Sequence, residues 1–288
     1  MEDDEELVAN GSDVSAECAI RGGLIVTLLL MLVCPVRGCS LGLSREARCL
    51  VCPRGHSFDV ARSGYVNLLQ PQDKKSKEPG DTAAAIAGRR RIHDSGVTKP
   101  LLEAIVSLAS LAADDIVLDA GCGEGFYLGS LRALSGCEAH GVDISIPAVY
   151  AAARRYPACA WIVANADRAL PYADASFTLV LSITARLNGA EFRRVLRPGG
   201  RLLVAIAGAD DLRELRGGSA GRDRVERTVE MFGSEGFVLA EQRAVSTVAA
   251  LDGAAIADLR HAIYRPPIGD AVEIDRVTFA LDLLSFRV

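Results

Sequence analysis

The sequence predicts an α/β protein: a doubly wound, mostly parallel sheet with a small metal-binding module on its N-terminal side. Three observations carry this expectation. Four metal-ligand residues at paired spacing, Cys34, Cys39, Cys52 and His56, precede the sheet. The run IVLDAGCGEGFYLGSL (116–131) passes from an apolar strand through a glycine turn into a helical pattern. Strand and helix patterns then alternate to about residue 206. That order builds a parallel sheet with helices on its faces.

The 288 residues are 50% hydrophobic and 24% charged, which excludes a disordered or low-complexity chain and supplies a substantial core. The net charge of -5 is unevenly spread. Residues 1–30 hold seven acids against Arg21, whereas residues 34–99 hold twelve Lys/Arg against six Asp/Glu. An acidic total thus hides a basic region suited to a polyanionic partner. Of the eight cysteines, four lie in CPVRGC and CLVC, and the others are scattered. A secreted disulfide scaffold would be short and cysteine-dense throughout, so the pattern points to a metal knot in a reduced, cytoplasmic protein.

The ten-residue apolar run LIVTLLLMLV (24–33) is short of the roughly 20 residues that cross a bilayer. The MEDDEE start lacks the basic flank of a signal peptide. No membrane association is expected. A start at Met31 would open the metal module directly with MLVCP. Residues 1–33 are assigned no function.

Cys34 and Cys39 enclose four residues, and Cys52 and His56 enclose three. Each pair can bite from one turn, and the segment between folds back to join them, as tetrahedral zinc requires. Thiolate and imidazole favour Zn²⁺ over hard cations. With all four positions filled the site is structural. Cys49 is a spare thiol beside it.

HSFDVARSGYVNLLQ (56–70) alternates Phe58, Val60, Tyr65, Val66, Leu68 and Leu69 with polar residues, which predicts a small hairpin packed on the metal knot. PQDKKSKEPGD (71–81) reads as an exposed linker. Arg89-Arg90-Arg91 reads either as a solvated helix face or as a set of phosphate contacts. LLEAIVSLASL (101–111) has helical spacing. In the glycine turn, Asp119, Gly121, Gly123 and Gly125 let backbone approach a ligand closely at a helix N-terminus. A dinucleotide fingerprint fails, because Phe126 stands where its last Gly or Ala would be. The second strand, CEAHGVDIS (137–145), ends in Asp143, placed to accept from two ribose hydroxyls. PAVYAAARRY forms the next helix. AWIVAN forms the third strand, and Asn165 and Asp167 follow where an adenine edge would lie. FTLVLSI (177–183) is the fourth strand, and Leu196–Gly200 turns tightly into RLLVAI (201–206).

The D-x-G-x-G-x-G spacing resembles the first motif of S-adenosylmethionine-dependent methyltransferases, the Rossmann-like class I fold. Taken with the zinc pattern, CPRGHSFDVARSGYVNLL and the GD-then-RR stretch, the chain from about Cys34 onward resembles the 23S ribosomal RNA guanine-N1 methyltransferases, which include the tylosin-resistance type. The resemblance is most specific over residues 49–69. It implies zinc on Cys34, Cys39, Cys52 and His56. It implies S-adenosylmethionine around Gly123 and Glu124, a target guanine in a 23S hairpin loop, and a homodimer whose two zinc modules shape an RNA cleft. The corresponding division is an N-terminal extension (1–33), a zinc-binding RNA-recognition module (34–72), a basic linker and helix (73–100) and a methyltransferase domain (101–288).

Three departures from the family pattern stand out. Gly96-Val97-Thr98-Lys99-Pro100-Leu101 occupies the place of Gly-His-Tyr-x-Pro-Leu, so Thr98 replaces a cofactor-contacting tyrosine. Ile183-Thr184-Ala185-Arg186 replaces an aromatic-Ala-Pro segment facing the target base. The first cysteine pair is two residues wider than CxxC. Two other functions fit parts of the sequence: a non-catalytic zinc-bearing ribosomal RNA binder, and a small-molecule methyltransferase.

Overall fold

The structure, a computed structural model, describes residues 31–74, 76–77, 79–216, 223–262 and 274–288. The N-terminal extension before Met31 lies outside the described residues.

Strands β1 (Ser44–Glu46), β2 (Cys49–Val51) and β3 (Ser57–Asp59) form an antiparallel sheet of three. The expected hairpin after it is only partly there. Val60 bridges Val66, but β4 (Val66–Asn67) leaves the module and pairs in parallel with β7 (Ala160–Val163). The apolar alternation was real, yet its partner is a strand almost a hundred residues away. β4 therefore becomes the edge of the main sheet and joins the two parts covalently and by hydrogen bonds.

That sheet has eight strands in the order β10-β11-β9-β8-β5-β6-β7-β4. Its parallel part comprises β4, β7, β6 (Glu138–Asp143), β5 (Ile116–Ala120), β8 (Phe177–Ile183) and β9 (Leu196–Ala207). The order doubles back at β5, so ligand-binding loops open at the carboxyl ends of β5 and β6. The expected tight turn at Leu196–Gly200 falls inside β9: Phe177 pairs with Leu196 and Leu179 with Arg201, so the residues between bulge out through Gly199 (φ 76°). Beyond β9, two long antiparallel strands, β10 (Val238–Ala250) and β11 (Arg276–Arg287), complete the other edge.

The helices are α1 (Ala83–Asp94), α2 (Lys99–Ala109), α3 (Phe126–Ser135), α4 (Ile146–Arg155), α5 (Gly189–Val195), α6 (Arg213–Arg216), α7 (Arg224–Ser234) and α8 (Gly253–Ala262). α1 packs on α8 and α4. No described helix is long and apolar enough to cross a membrane.

The single tryptophan shapes the ligand end of the sheet. Trp161, on β7, is 2% exposed. A Cβ on Gly125 would lie 2.4 Å from its ring, and one on Gly141 would lie 2.3 Å away. Burial of an indole contributes roughly 4–6 kcal/mol, and it requires glycine at both positions. The metal module packs into the other hydrophobic cluster of the sheet, not the one that holds Trp161. Leu32, Leu50, Val66 and Leu68 pack in one cluster with Tyr172, Phe177 and Ile162. Backbone bonds tie Val33 N to Pro171 O and Ala173 N to Met31 O.

Candidate active site and metal centre

The metal centre is built from two knuckles, each turning through a left-handed glycine, Gly38 (φ 73°) and Gly55 (φ 82°). Cys39 N donates to Val36 O in the first, and Gly55 N donates to Cys52 O in the second. Arg54 Nη1 donates to Gly38 O and locks the two together. The ligand atoms of Cys34, Cys39, Cys52 and His56 all lie within 4.8 Å of one another. Cys39 Sγ and Cys52 Sγ are 3.7 Å apart, and His56 Nδ1 lies 3.4 Å from Cys34 Sγ and 3.3 Å from Cys52 Sγ. With Zn–S near 2.3 Å and Zn–N near 2.0 Å, tetrahedral edges are about 3.8 Å and 3.5 Å. The residues fit zinc through His56 Nδ1. The wide first pair is absorbed by the Gly38 turn. Cys49 Sγ points away, to Glu46 O.

The second site lies at the end of β5. Gly121, Gly123 and Gly125 have φ of 91°, 54° and 80°, a backbone course that other residues adopt only with strain. A Cβ on Gly121 would lie 2.3 Å from the Ala185 Cβ, because the loop after β8 folds down onto the turn. Asp143, at the tip of β6, accepts from Gly123 N at 2.9 Å and from Ser145 N at 2.8 Å. Ser145, not Asp143, caps α4. Each Asp143 oxygen keeps a further lone pair for a ligand hydroxyl.

Asp119 and Glu124 are buried beside it, and Asp119 Oδ1 and Glu124 Oε1 accept no hydrogen bond from the described residues. Burial, then Asp143 and Glu124, push the Asp119 carboxyl up to about 8. Burial also raises the Glu124 carboxyl, and the Arg89 guanidinium opposes this. Two buried carboxyl groups, each with an oxygen that accepts no hydrogen bond, in a glycine cradle suit a cationic ligand with donor groups. S-adenosylmethionine, with its ammonium and sulfonium, has that chemistry.

The wall of this site comes from the segment expected to be a linker. Its charged stretch is largely exposed, but Gly80-Asp81 docks on the end of β6. Ser145 Oγ donates to Asp81 O, and a Cβ on Gly80 would lie 2.6 Å from the Ser145 Cβ. The arginine triplet then departs from the phosphate-contact expectation. Arg89 pairs with Asp81 at 2.7 Å and with Glu124 at 3.7 Å, against Gly123. Arg90 pairs with Asp94 at 3.5 Å, and Arg91 makes a forked pair with Asp258 on α8. Arg89 is turned into the site, whereas Arg90 and Arg91 form ion pairs on an exposed helix face, as the solvated-face alternative expects.

The other expected residues lie at different distances from the cradle. Thr98 is buried and its hydroxyl sits 2.8 Å from His93 Nδ1, so it reaches the cradle through His93. Asn165 spends its side chain on Asp73 O and Asp167 N, at the end of β7. Asp167 pairs with Arg186 at 3.3 Å, closing the mouth on the β8 side. Sequence reasoning missed Asp81, His93 and Ser145 and misplaced Arg89. The one available signal was the Gly80-Asp81 pair before α1.

Known proteins resemble the chain over both regions. The model for the N-terminal region of RlmA, a zinc ribbon, matches residues 32–77, and a methyltransferase-domain model matches residues 117–200. A Micromonospora griseorubida protein assigned as a 23S rRNA (guanine-N(1)-)-methyltransferase is 39% identical over 65% of this chain and 69% of its own length. The 23S rRNA (guanine(748)-N(1))-methyltransferase of Streptomyces fradiae is 40% identical over 62% of this chain, and the match spans 64% of that protein. A solved methyltransferase-fold structure from Bacillus halodurans C-125 superposes with a TM-score of 0.51 at 16% identity. It covers 65% of this chain and 97% of the other, a likeness of fold.

Proposed function

The chain belongs to the 23S rRNA (guanine-N1)-methyltransferase family, and from that premise we propose that it methylates N1 of a guanine in a 23S rRNA hairpin loop. The observation that carries this reading is the pairing of β4 with β7. It fixes a zinc ribbon beside a cradle suited to S-adenosylmethionine.

When bound, S-adenosylmethionine supplies a methyl group on a positively charged sulfur, open to in-line attack by N1. The protein binds, orients and excludes water. Asp143 would accept the ribose hydroxyls while its bond from Gly123 N holds the loop. Asp119 and Glu124 would hold the cationic end, and Gly121, Gly123 and Gly125 would leave room for it. Thr98 supports that end through His93, and Asn165 and Asp167 border the adenine side. An unstacked loop guanine needs no duplex opening.

Residues 34–72 form the RNA-recognition module and residues 101–288 the methyltransferase domain, with residues 73–100 as its wall. A cleft of about 710 Å³ runs from the first knuckle to the end of β7, lined in part by Arg37, Arg168 and Asn165. It supports RNA entry between module and sheet. We place the chain in the cytoplasm, where zinc thiolates stay reduced, as a homodimer whose two modules flank one RNA cleft. A small-molecule methyltransferase has no use for the ribbon. A non-catalytic RNA binder has no reason to keep two buried carboxyl oxygens without a hydrogen bond, Asp119 Oδ1 and Glu124 Oε1, each costing about 1–3 kcal/mol.

Arg37, Arg45, Arg48, Arg54 and Arg62 are exposed on the module. Changing them to Gln should lower the slope of log K for 23S rRNA against log salt by about 0.7–0.9 for each phosphate no longer neutralised. The Arg90→Gln, Arg91→Gln pair should leave that slope unchanged and lower the melting temperature instead. Filter binding at several salt concentrations checks both. An unchanged slope in the five-fold variant would remove the module from the RNA surface.

A further inference from the structure

His93 sits on the last turn of α1 between two of the residues just described. Its Nδ1 is 2.8 Å from the Thr98 hydroxyl, and its Nε2 is 3.3 Å from Glu124 Oε1. The ring lies flat on Phe126, with centroids 4.0 Å apart and planes within 7°, and Tyr127 meets it edge-on. Thr98 opens α2 but makes no side-chain cap bond to that helix. A threonine there normally contributes about 1 kcal/mol as a cap. Here its hydroxyl is turned inward to the imidazole.

We propose that His93 is a positioning residue, held by Thr98 and Phe126, that donates from Nε2 to Glu124 and keeps this carboxylate ionised and aimed at the cradle. The inference rests on the methyltransferase reading of the cradle and adds a residue to it.

The proton assignment follows from the neighbours. Burial pushes the imidazole down to about 3, Arg89 and Arg155 reinforce this, and Asp94 opposes it. A neutral ring carries one N–H. A carboxylate only accepts, so the proton facing Glu124 is on Nε2, and Nδ1 accepts from the Thr98 hydroxyl. The Nε2–Oε1 contact is long and off-line for a hydrogen bond. A small rotation of the Glu124 terminal torsion, which is soft, brings it into line. Arg89 holds the other oxygen at 3.7 Å. A donated hydrogen bond lowers a carboxyl pKa. The pair thus counters the burial that pushes Glu124 up.

The test is calorimetric titration of the full chain with S-adenosylmethionine at pH 6 and pH 8. Thr98→Val, which keeps the shape and removes the hydroxyl, should weaken binding about fivefold at pH 6 and clearly less at pH 8. Loss of the relay raises the Glu124 pKa, so the carboxylate is depleted first at low pH. Thr98→Ser should restore wild-type affinity at both. In a Glu124→Gln background, Thr98→Val should cost nothing further. An equal loss at both pH values, or the same loss with and without Glu124, would show mere packing and overturn the proposal. Unchanged affinity in Thr98→Val would do the same. Wild-type chain that binds no S-adenosylmethionine would instead bring down the cradle reading and this proposal with it.

Discussion

Stripping the zinc with a chelator, or replacing Cys52 with Ser, is expected to unfold residues 34–67 and abolish binding to 23S rRNA. Structural zinc sites supply about 10–16 kcal/mol of apparent binding energy, more than a three-stranded sheet with 3-residue strands can replace. Cys34, Cys39 and Cys52 are buried in the cluster that also holds Tyr172 and Ile162, so the damage reaches the large sheet. It reaches its β4 edge first. The cradle lies on β5 and β6, with β7 between β6 and that edge. S-adenosylmethionine affinity should therefore fall by only a few-fold while RNA binding is lost. Metal analysis of the purified chain, with titrations of both ligands before and after chelation, checks this. A chain that holds no zinc, or that binds RNA unchanged without it, would contradict the ribbon's role.

Asp119→Asn is expected to separate stability from function. The wild-type carboxyl, pushed up to about 8, stays protonated in the folded chain across a range where the unfolded chain has released its proton. The folded state binds more protons there, so stability is full below about pH 4 and falls as pH rises through 8. Asn carries no charge to bury. The variant should lack that decline and, at pH 8, be more stable than wild type by on the order of 2–4 kcal/mol. It should also bind S-adenosylmethionine at least tenfold more weakly, because the cationic end loses its partner. Wild type should release close to one proton on binding at pH 7, readable by calorimetry in buffers of different ionisation enthalpy. Denaturant melts from pH 5 to 8.5 check the slope. Parallel wild-type and variant curves would mean that Asp119 is not the group responsible.

Features whose chemistry is local in sequence were the legible ones. The paired zinc ligands, Asp119 with its three glycines, and Asp143 each announce themselves within a short window, because a knuckle, a turn or a strand tip is a short-range structure. Charge was misread wherever its partner was remote. Arg91 finds Asp258 across 167 positions and Arg89 finds Glu124 in the glycine turn, so the ion pairs could not be read from the run, although Arg90 and Arg91 are exposed as a solvated face would be. β4 was misread for the same reason, since its two residues alternate well enough for a hairpin but pair with β7. His93 carried no sequence signal. An isolated histidine at a helix end is ordinary, and only the fold brings Phe126, Thr98 and Glu124 around it.

A cradle for S-adenosylmethionine with a zinc ribbon fixed beside it should methylate a base on its pairing edge. Primer extension across 23S rRNA, after incubation with the purified chain and S-adenosylmethionine, reads this directly, because a methyl on guanine N1 blocks base pairing and halts reverse transcriptase. The expected result is one strong stop, one nucleotide before a single hairpin-loop guanine, that disappears with Asp143→Ala. Labelled methyl entering the RNA without any stop would place it on another atom and contradict the assignment. No transfer at all by a zinc-loaded chain that binds both ligands would contradict the catalytic reading itself.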